Sequence, residues 1–237
     1  MLTPDPVVFL LDVDNTLLDN DRFKTELSAW LEHGFGAIER QRYWKIYDAL
    51  REQLGYADYL GALQEFRGAS AAQAELQLTS DFLLEYPFAK LLYPDTLQAI
   101  AHLAAFGRVV IVSDGDMVFQ PRKIRLSGLA AAVNHHVLIY VHKQRSLADL
   151  ELRFPAARYV MVDDKPLLLA AMKQILGAQL STVFVRQGHY AAESAGKIIE
   201  PPPDRTIERI GDLLAFALND FFPAAASAPP APAKELP

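Results

Sequence analysis

The chain has 237 residues, 51% of them hydrophobic, with 29 acidic against 23 basic side chains for a formal charge of −6 and no cysteine. This length supports one substantial core or a core domain with a large insertion, while the missing cysteine excludes disulfides, thiolate catalysis and Cys-based zinc sites. With no Lys/Arg-rich segment there is no electrostatic footprint for nucleic acid, and with neither a bilayer-length apolar run nor a signal-peptide pattern the expectation is a cytoplasmic protein that does not engage membranes.

The first element is the apolar run from Val7 to Leu11, which stops abruptly at Asp12-Val13-Asp14-Asn15-Thr16. A continuous apolar run of this length reads as a buried parallel strand, and such strands deliver the next residues of the chain to the rim of the sheet, where ligands bind. Residues 19–92 then read as helical, with apolar positions three and four apart over 22–32, 37–54, 56–66 and 71–84. This stretch holds no second strand and is expected to form a separate helical insertion.

From Tyr93 the pattern alternates. Helices are predicted at 95–106, 118–126, 146–154 and 167–176, with strands at 109–112, 137–141, 159–162 and 181–185. Alternation of this kind implies βαβ crossovers, and so a doubly wound, mostly parallel α/β sheet of five or more strands, Rossmann-like and covered on both faces. Pro201-Pro202-Pro203 breaks the chain, and residues 206–222 are predicted as a terminal helix with Leu213, Leu214, Phe216 and Ala217 available to dock. The Ala/Pro-rich residues 223–237 lack periodicity and are expected to be disordered. The expected organisation is a core of 1–18 and 93–222, a helical insertion of 19–92, and the tail.

Polar residues fall where this pattern puts the carboxyl ends of strands: Asp12 and Asp14, then Ser113 and Asp114, then Lys143, then Asp163-Asp164. Each has an ordinary alternative, since Ser-Asp-Gly-Asp is a good turn, a lysine is usually solvated and paired aspartates cap helices. In a parallel sheet, however, these ends share one edge and converge on a single crevice. Three or more converging carboxylates repel one another unless a cation neutralises them, and a hard, oxygen-liking ion such as Mg2+ suits them. One carboxylate is then free to attack an electrophile made less negative by the metal and a lysine, and another can move protons. Phosphate esters fit that chemistry, because their uncatalysed hydrolysis is among the slowest known.

The segment Asp12-Val13-Asp14-Asn15-Thr16, followed by Ser113, Lys143 and Asp163-Asp164, resembles in order and spacing the four motifs of the haloacid dehalogenase superfamily, phosphatase branch, across residues 7–185. The resemblance implies Asp12 as the nucleophile that forms an aspartyl-phosphate. Asp14 is implied as general acid and base and as a metal ligand through its backbone carbonyl. Ser113 and Lys143 would hold the phosphoryl group, with Asp114 beside them at the substrate. Asp12, Asp14, Asp163 and Asp164 form the implied Mg2+ set, and the insertion 19–92 is implied to be a cap that chooses a small phosphorylated metabolite, in a monomer or homodimer.

The chain departs from the family pattern in three places: Asp114 stands where Asn is common, Gln144 where Pro commonly follows the lysine, and the loop before Lys143 lacks the usual glycine. His135 and His136 are adjacent and would point to opposite faces of an extended segment, so they read as loop or partly buried residues rather than joint metal ligands. His142 is expected to face solvent or a helix. The aromatic residues of the insertion read mainly as its core, although an aromatic face with an arginine would also suit a nucleoside, sugar or aromatic phosphate. Gly188-His189-Tyr190 reads as a loop, and no glycine-rich nucleotide loop occurs. The alternatives are halide displacement, disfavoured because dehalogenating relatives lack the second acid of the first motif, and a binding protein without turnover. Phosphotransfer to a sugar is a further variant.

Overall fold

The computed structural model describes residues 4–67 and 72–222. Six strands form one sheet in the order β3-β2-β1-β4-β5-β6, and every pairing is parallel. They are β1 (Asp5–Leu11), β2 (Arg108–Asp114), β3 (Val137–Tyr140), β4 (Ala156–Asp163), β5 (Leu180–Val185) and β6 (Arg205–Ile207). The chain builds outward from β1 on one side and then jumps to β4 on the other, so a crevice opens between the carboxyl ends of β1 and β4. Asp12 and Asp163 stand at those two ends.

Alternation along β1 explains the two layers. Val7, Phe9 and Leu11 face one apolar cluster, and Val8 and Leu10 face a second. The second cluster is closed by α8 (Leu147–Arg153) and α9 (Pro166–Leu176). The first is closed by α5 (Thr96–Ala104), α6 (Phe119–Leu126) and the short α7 (Leu129–Ala132).

Between β1 and β2 run α1 (Asn20–Phe35), α2 (Ala37–Leu54), α3 (Tyr59–Phe66) and α4 (Gln73–Glu85). Asp19 caps α1 by accepting the Arg22 N–H at 2.8 Å, and Asp58 caps α3 by accepting the Gly61 N–H at 2.7 Å. The chain leaves and rejoins the sheet side by side: Leu18 bridges Leu92, Asp19 N–H donates to Leu91 and Tyr93 N–H donates to Leu17. Phe23 is fully buried and meets Tyr59, Phe82, Tyr86 and Phe88 from the insertion and Phe119 from α6. One aromatic cluster therefore joins the insertion to the sheet layer.

Two expectations are corrected. Residues 206–222 do not form a helix: Thr206 pairs with Phe184 in β6, and two short 3-10 turns follow at Ile210–Ala215 and Leu218–Phe221. Asp212 accepts the N–H groups of Glu208 and Arg209, and Asp220 that of Ala217, so side chains satisfy the backbone and restart the chain every few residues. Ile210, Leu213 and Phe221 still bury against the first cluster. Residues 188–190 are likewise not a loop but begin α10 (Gly188–Glu193). The expected helix start at 71 and the tail 223–237 lie outside the described residues. Among the described residues no helix is long and apolar enough to cross a membrane.

Candidate active site

Asp12 comes directly after β1, and its N–H donates to Val162 of the neighbouring β4 at 3.0 Å, which extends the sheet ladder by one residue and sinks the carboxyl into the crevice. Its partner is Lys143, which is fully buried and pairs with Asp12 and, at 2.6 Å, with Asp163. Burial alone would lower the lysine's pKa, but the charges of Asp12 and Asp163 more than reverse it, and the ammonium stays charged. Lys143 lies on a 3-10 turn just past β3. Asp114 fixes that turn by accepting the Lys143 N–H at 2.7 Å. Without the glycine and proline usual around this lysine, the side chain of Asp114 anchors its backbone, and burial holds the Asp114 carboxyl above its ordinary pKa.

Asp14 sits higher, with its side chain one-quarter exposed, and is gripped from α6: Lys123 Nζ is 2.5 Å from Oδ1 and Gln120 Nε2 is 3.3 Å from Oδ2. The same Gln120 amide donates to Ser113 Oγ at 2.9 Å, tying the hydroxyl near the end of β2 to the second acid. Asp163 and Asp164 have no exposed surface, and one carboxylate oxygen from each of Asp12, Asp163 and Asp164 lies within 4.8 Å of the others. Burial and the neighbouring charges of Asp163 and Asp12 push Asp164 up to about 9, and burial raises Asp163 despite Lys143.

Asp12 Oδ2 and both Asp164 oxygens are buried without a hydrogen-bond partner, a costly arrangement that a hard divalent cation would relieve. An all-oxygen donor set fits Mg2+. Among the described residues this is the one cluster of metal-ligating side chains, and His135 and His136 take no part in it.

The expected residues thus gather at one edge. Others join them that the motifs did not single out. Asn15 adopts a left-handed conformation (φ 62) and accepts the N–H groups of Asn20 and Asp21, so it starts α1. Asp21 in turn holds His189 at the start of α10, and Gly188 (φ 70) packs so close that a Cβ there would overlap the side chain of Asn15. Gln120 and Lys123 carried a readable signal: two polar residues three apart on the inward face of an amphipathic helix. His142 faces the end of α2, where a Cβ on Gly55 would meet its ring at 2.5 Å.

A cavity of about 100 Å3 opens beside Asp14 and Asp114, lined also by Asn15, Lys24, Tyr47, Arg51, Tyr56, Lys165, His189 and Tyr190 among others. A larger hollow of about 560 Å3 beside α10 has no carboxylate or histidine in its lining, whereas the smaller cavity includes Asp14.

Comparison with known proteins identifies the family and the fold. Residues 7–175 match the family model described as haloacid dehalogenase-like hydrolase. A haloacid dehalogenase-like hydrolase from Burkholderia xenovorans LB400 is 53% identical over 90% of this chain and 100% of its own, with a TM-score of 0.83. The HAD hydrolase YfnB of Bacillus subtilis, bound to magnesium, is 18% identical over 89% and 99% of the two chains (TM-score 0.61). A 2-haloacid dehalogenase from Pseudomonas syringae pv. Tomato DC3000 is 17% identical over 88% and 96% (TM-score 0.60). The last two share the fold. No curated protein matches the chain significantly.

Proposed function

The chain belongs to the haloacid dehalogenase-like hydrolases, and from that premise we propose that it is a Mg2+-dependent phosphatase acting on a small phosphomonoester, with α1–α4 as its cap. The observation that carries the reading is Asp14, a second carboxylate above Asp12 that Lys123 and Gln120 hold in place. A reaction that expels an alkoxide needs a proton donor at that position, whereas one that expels a halide does not.

In this reading an oxygen of Asp12 attacks phosphorus, the phosphorus–oxygen bond to the alcohol breaks, and the departing oxygen takes a proton through Asp14. A water molecule then gives a proton to Asp14 and attacks the aspartyl-phosphate at phosphorus, which releases inorganic phosphate and restores Asp12. Lys143 neutralises Asp12 before attack and stays beside the phosphoryl oxygens as charge moves onto them. Ser113 holds one of those oxygens, and Gln120 orients both Ser113 and Asp14. Asp12, Asp163 and Asp164, with the backbone carbonyl of Asp14, would hold Mg2+, which when bound supplies Lewis-acid polarisation of the phosphoryl group. The cap helices exclude water from the crevice.

Asp12→Asn is expected to abolish phosphate release from an aryl phosphate while leaving the circular dichroism spectrum unchanged. A chelator should stop the wild-type reaction, and Mg2+ should restore it and raise the thermal midpoint. Retained phosphatase activity in Asp12→Asn overturns the reading, as does chelator-insensitive halide release from a 2-haloacid.

A further inference from the structure

Tyr190 of α10 has no part in the chemistry above, yet its ring is held from three directions. Its hydroxyl accepts a hydrogen bond from Arg51 of α2, the Lys165 ammonium lies 5.0 Å from the centre of its ring, and the His189 ring packs against it with 4.0 Å between centroids. A charged donor on the hydroxyl and a cation over the aromatic face both favour this placement. The supports are themselves fixed. Asp21 binds His189 through its backbone N–H and its ring, and the Lys165 N–H donates to Asp163 at 2.8 Å.

What the ring separates gives it a role. On one side is the cavity beside Asp14 and Asp114. On the other is a hollow of about 400 Å3 between α9 and α10, whose α9 wall is the apolar set Pro166, Leu167, Leu168 and Ala171. Tyr190 and Lys165 are the two residues that line both spaces. If Asp14 protonates the departing oxygen, the alcohol half of the ester must lie in the cavity beside it. Apolar room for a longer alcohol then lies past Tyr190.

We propose that Tyr190 is a specificity-determining residue, a wall between the cavity and the apolar hollow that makes the site favour short alcohols over long ones. This rests on the phosphatase reading above. It assigns part of the choice of substrate to α10, which belongs to the sheet domain, and not to the helical insertion alone.

The test compares kcat/KM for ethyl phosphate and n-hexyl phosphate. Both expel a primary alkoxide, so their ratio reads fit and not leaving-group reactivity. The wild type should favour ethyl phosphate by about tenfold or more. Tyr190→Ala opens the hollow, where each methylene moved from water into an apolar lining is worth about fourfold, so the hexyl-to-ethyl ratio should rise by about tenfold or more. Tyr190→Phe keeps the ring over Lys165 and should keep the wild-type ratio. Ala171→Phe added to Tyr190→Ala refills the hollow and should return the ratio toward that of the wild type. The ratio is the readout because general damage lowers both rates together. Wild-type turnover of hexyl phosphate as good as that of ethyl phosphate overturns the wall without any variant having to fold. An unchanged ratio in Tyr190→Ala, or a shift in Tyr190→Phe as large as in Tyr190→Ala, overturns it too, as does release of phosphate from an aryl phosphate but not from ethyl phosphate. In each of these cases the phosphatase reading stands. If the wild type releases phosphate from neither the alkyl esters nor an aryl phosphate, the phosphatase reading itself fails and the inference falls with it.

Discussion

Lys123 has no exposed surface, and its Nζ lies 2.5 Å from Asp14 and 3.3 Å from the side-chain oxygen of Asn20. A buried ammonium persists only where a carboxylate compensates it, and here the compensating group is Asp14, the proton carrier of the proposed mechanism. Lys123→Met keeps the volume and removes the charge, leaving Asp14 with Gln120 alone. The expected result is a fall in kcat of about a hundredfold, typical of a misplaced general acid, with KM little changed and partial recovery in Lys123→Arg. Steady-state kinetics on an aryl phosphate measure it, and a larger effect on KM than on kcat would remove Lys123 from this role. At the same scale, Asp12, Asp14, Ser113, Lys143, Asp163 and Asp164 were legible because each ends or follows an apolar run. The work of Asp114 was not, since its contact is with a backbone N–H 29 residues away.

At the scale of elements, α10 shows how a six-residue helix comes to matter. Its first residue, Gly188, combines a left-handed φ of 70 with contact against Asn15, and its second, His189, binds Asp21 through both its backbone N–H and its ring. An alanine at 188 meets both a backbone penalty and a steric one. Gly188→Ala should destabilise the protein by about 1–3 kcal/mol, read as a lower thermal midpoint, and should lower activity because Asn15 positions the loop of Asp12 and Asp14. An unchanged midpoint would show that α10 is not seated on that loop. Strands and long helices were readable from apolar periodicity, as the match of 37–54 to α2 shows. The short pieces after residue 186 were not, because a strand of three residues and a 3-10 turn each carry too few positions to show a period, and their partners lie on other strands.

The whole molecule is held together where the insertion meets the sheet layer. Besides the Phe23 cluster, Glu26 of α1 joins Tyr86 at 2.7 Å and Lys90 at 2.9 Å on the returning segment, and Arg22 at 2.9 Å on its own helix. Burial alone would raise its pKa, but hydrogen bonds from Lys90, Tyr86 and Arg22 outweigh that and hold it at about 2 against an ordinary 4.5. A carboxyl depressed on folding contributes stability that is complete above the unfolded value and is lost as pH falls through the folded one. The thermal midpoint should therefore drop between about pH 5 and pH 2, and less steeply in Glu26→Gln. Equal slopes in the two proteins would show that Glu26 contributes nothing there. Among the features on this scale, the parallel α/β sheet, the helical insertion after β1 and the edge at which the acids meet follow from the order of apolar runs and the residues that end them, because a buried strand dictates where its carboxyl end must lie. The sixth strand, the grip of α6 on Asp14 and the placement of Lys24 and Arg51 in the cavity wall were decided only by the tertiary structure. Each depends on side chains distant in sequence meeting across an interface, and no local period records which faces will touch.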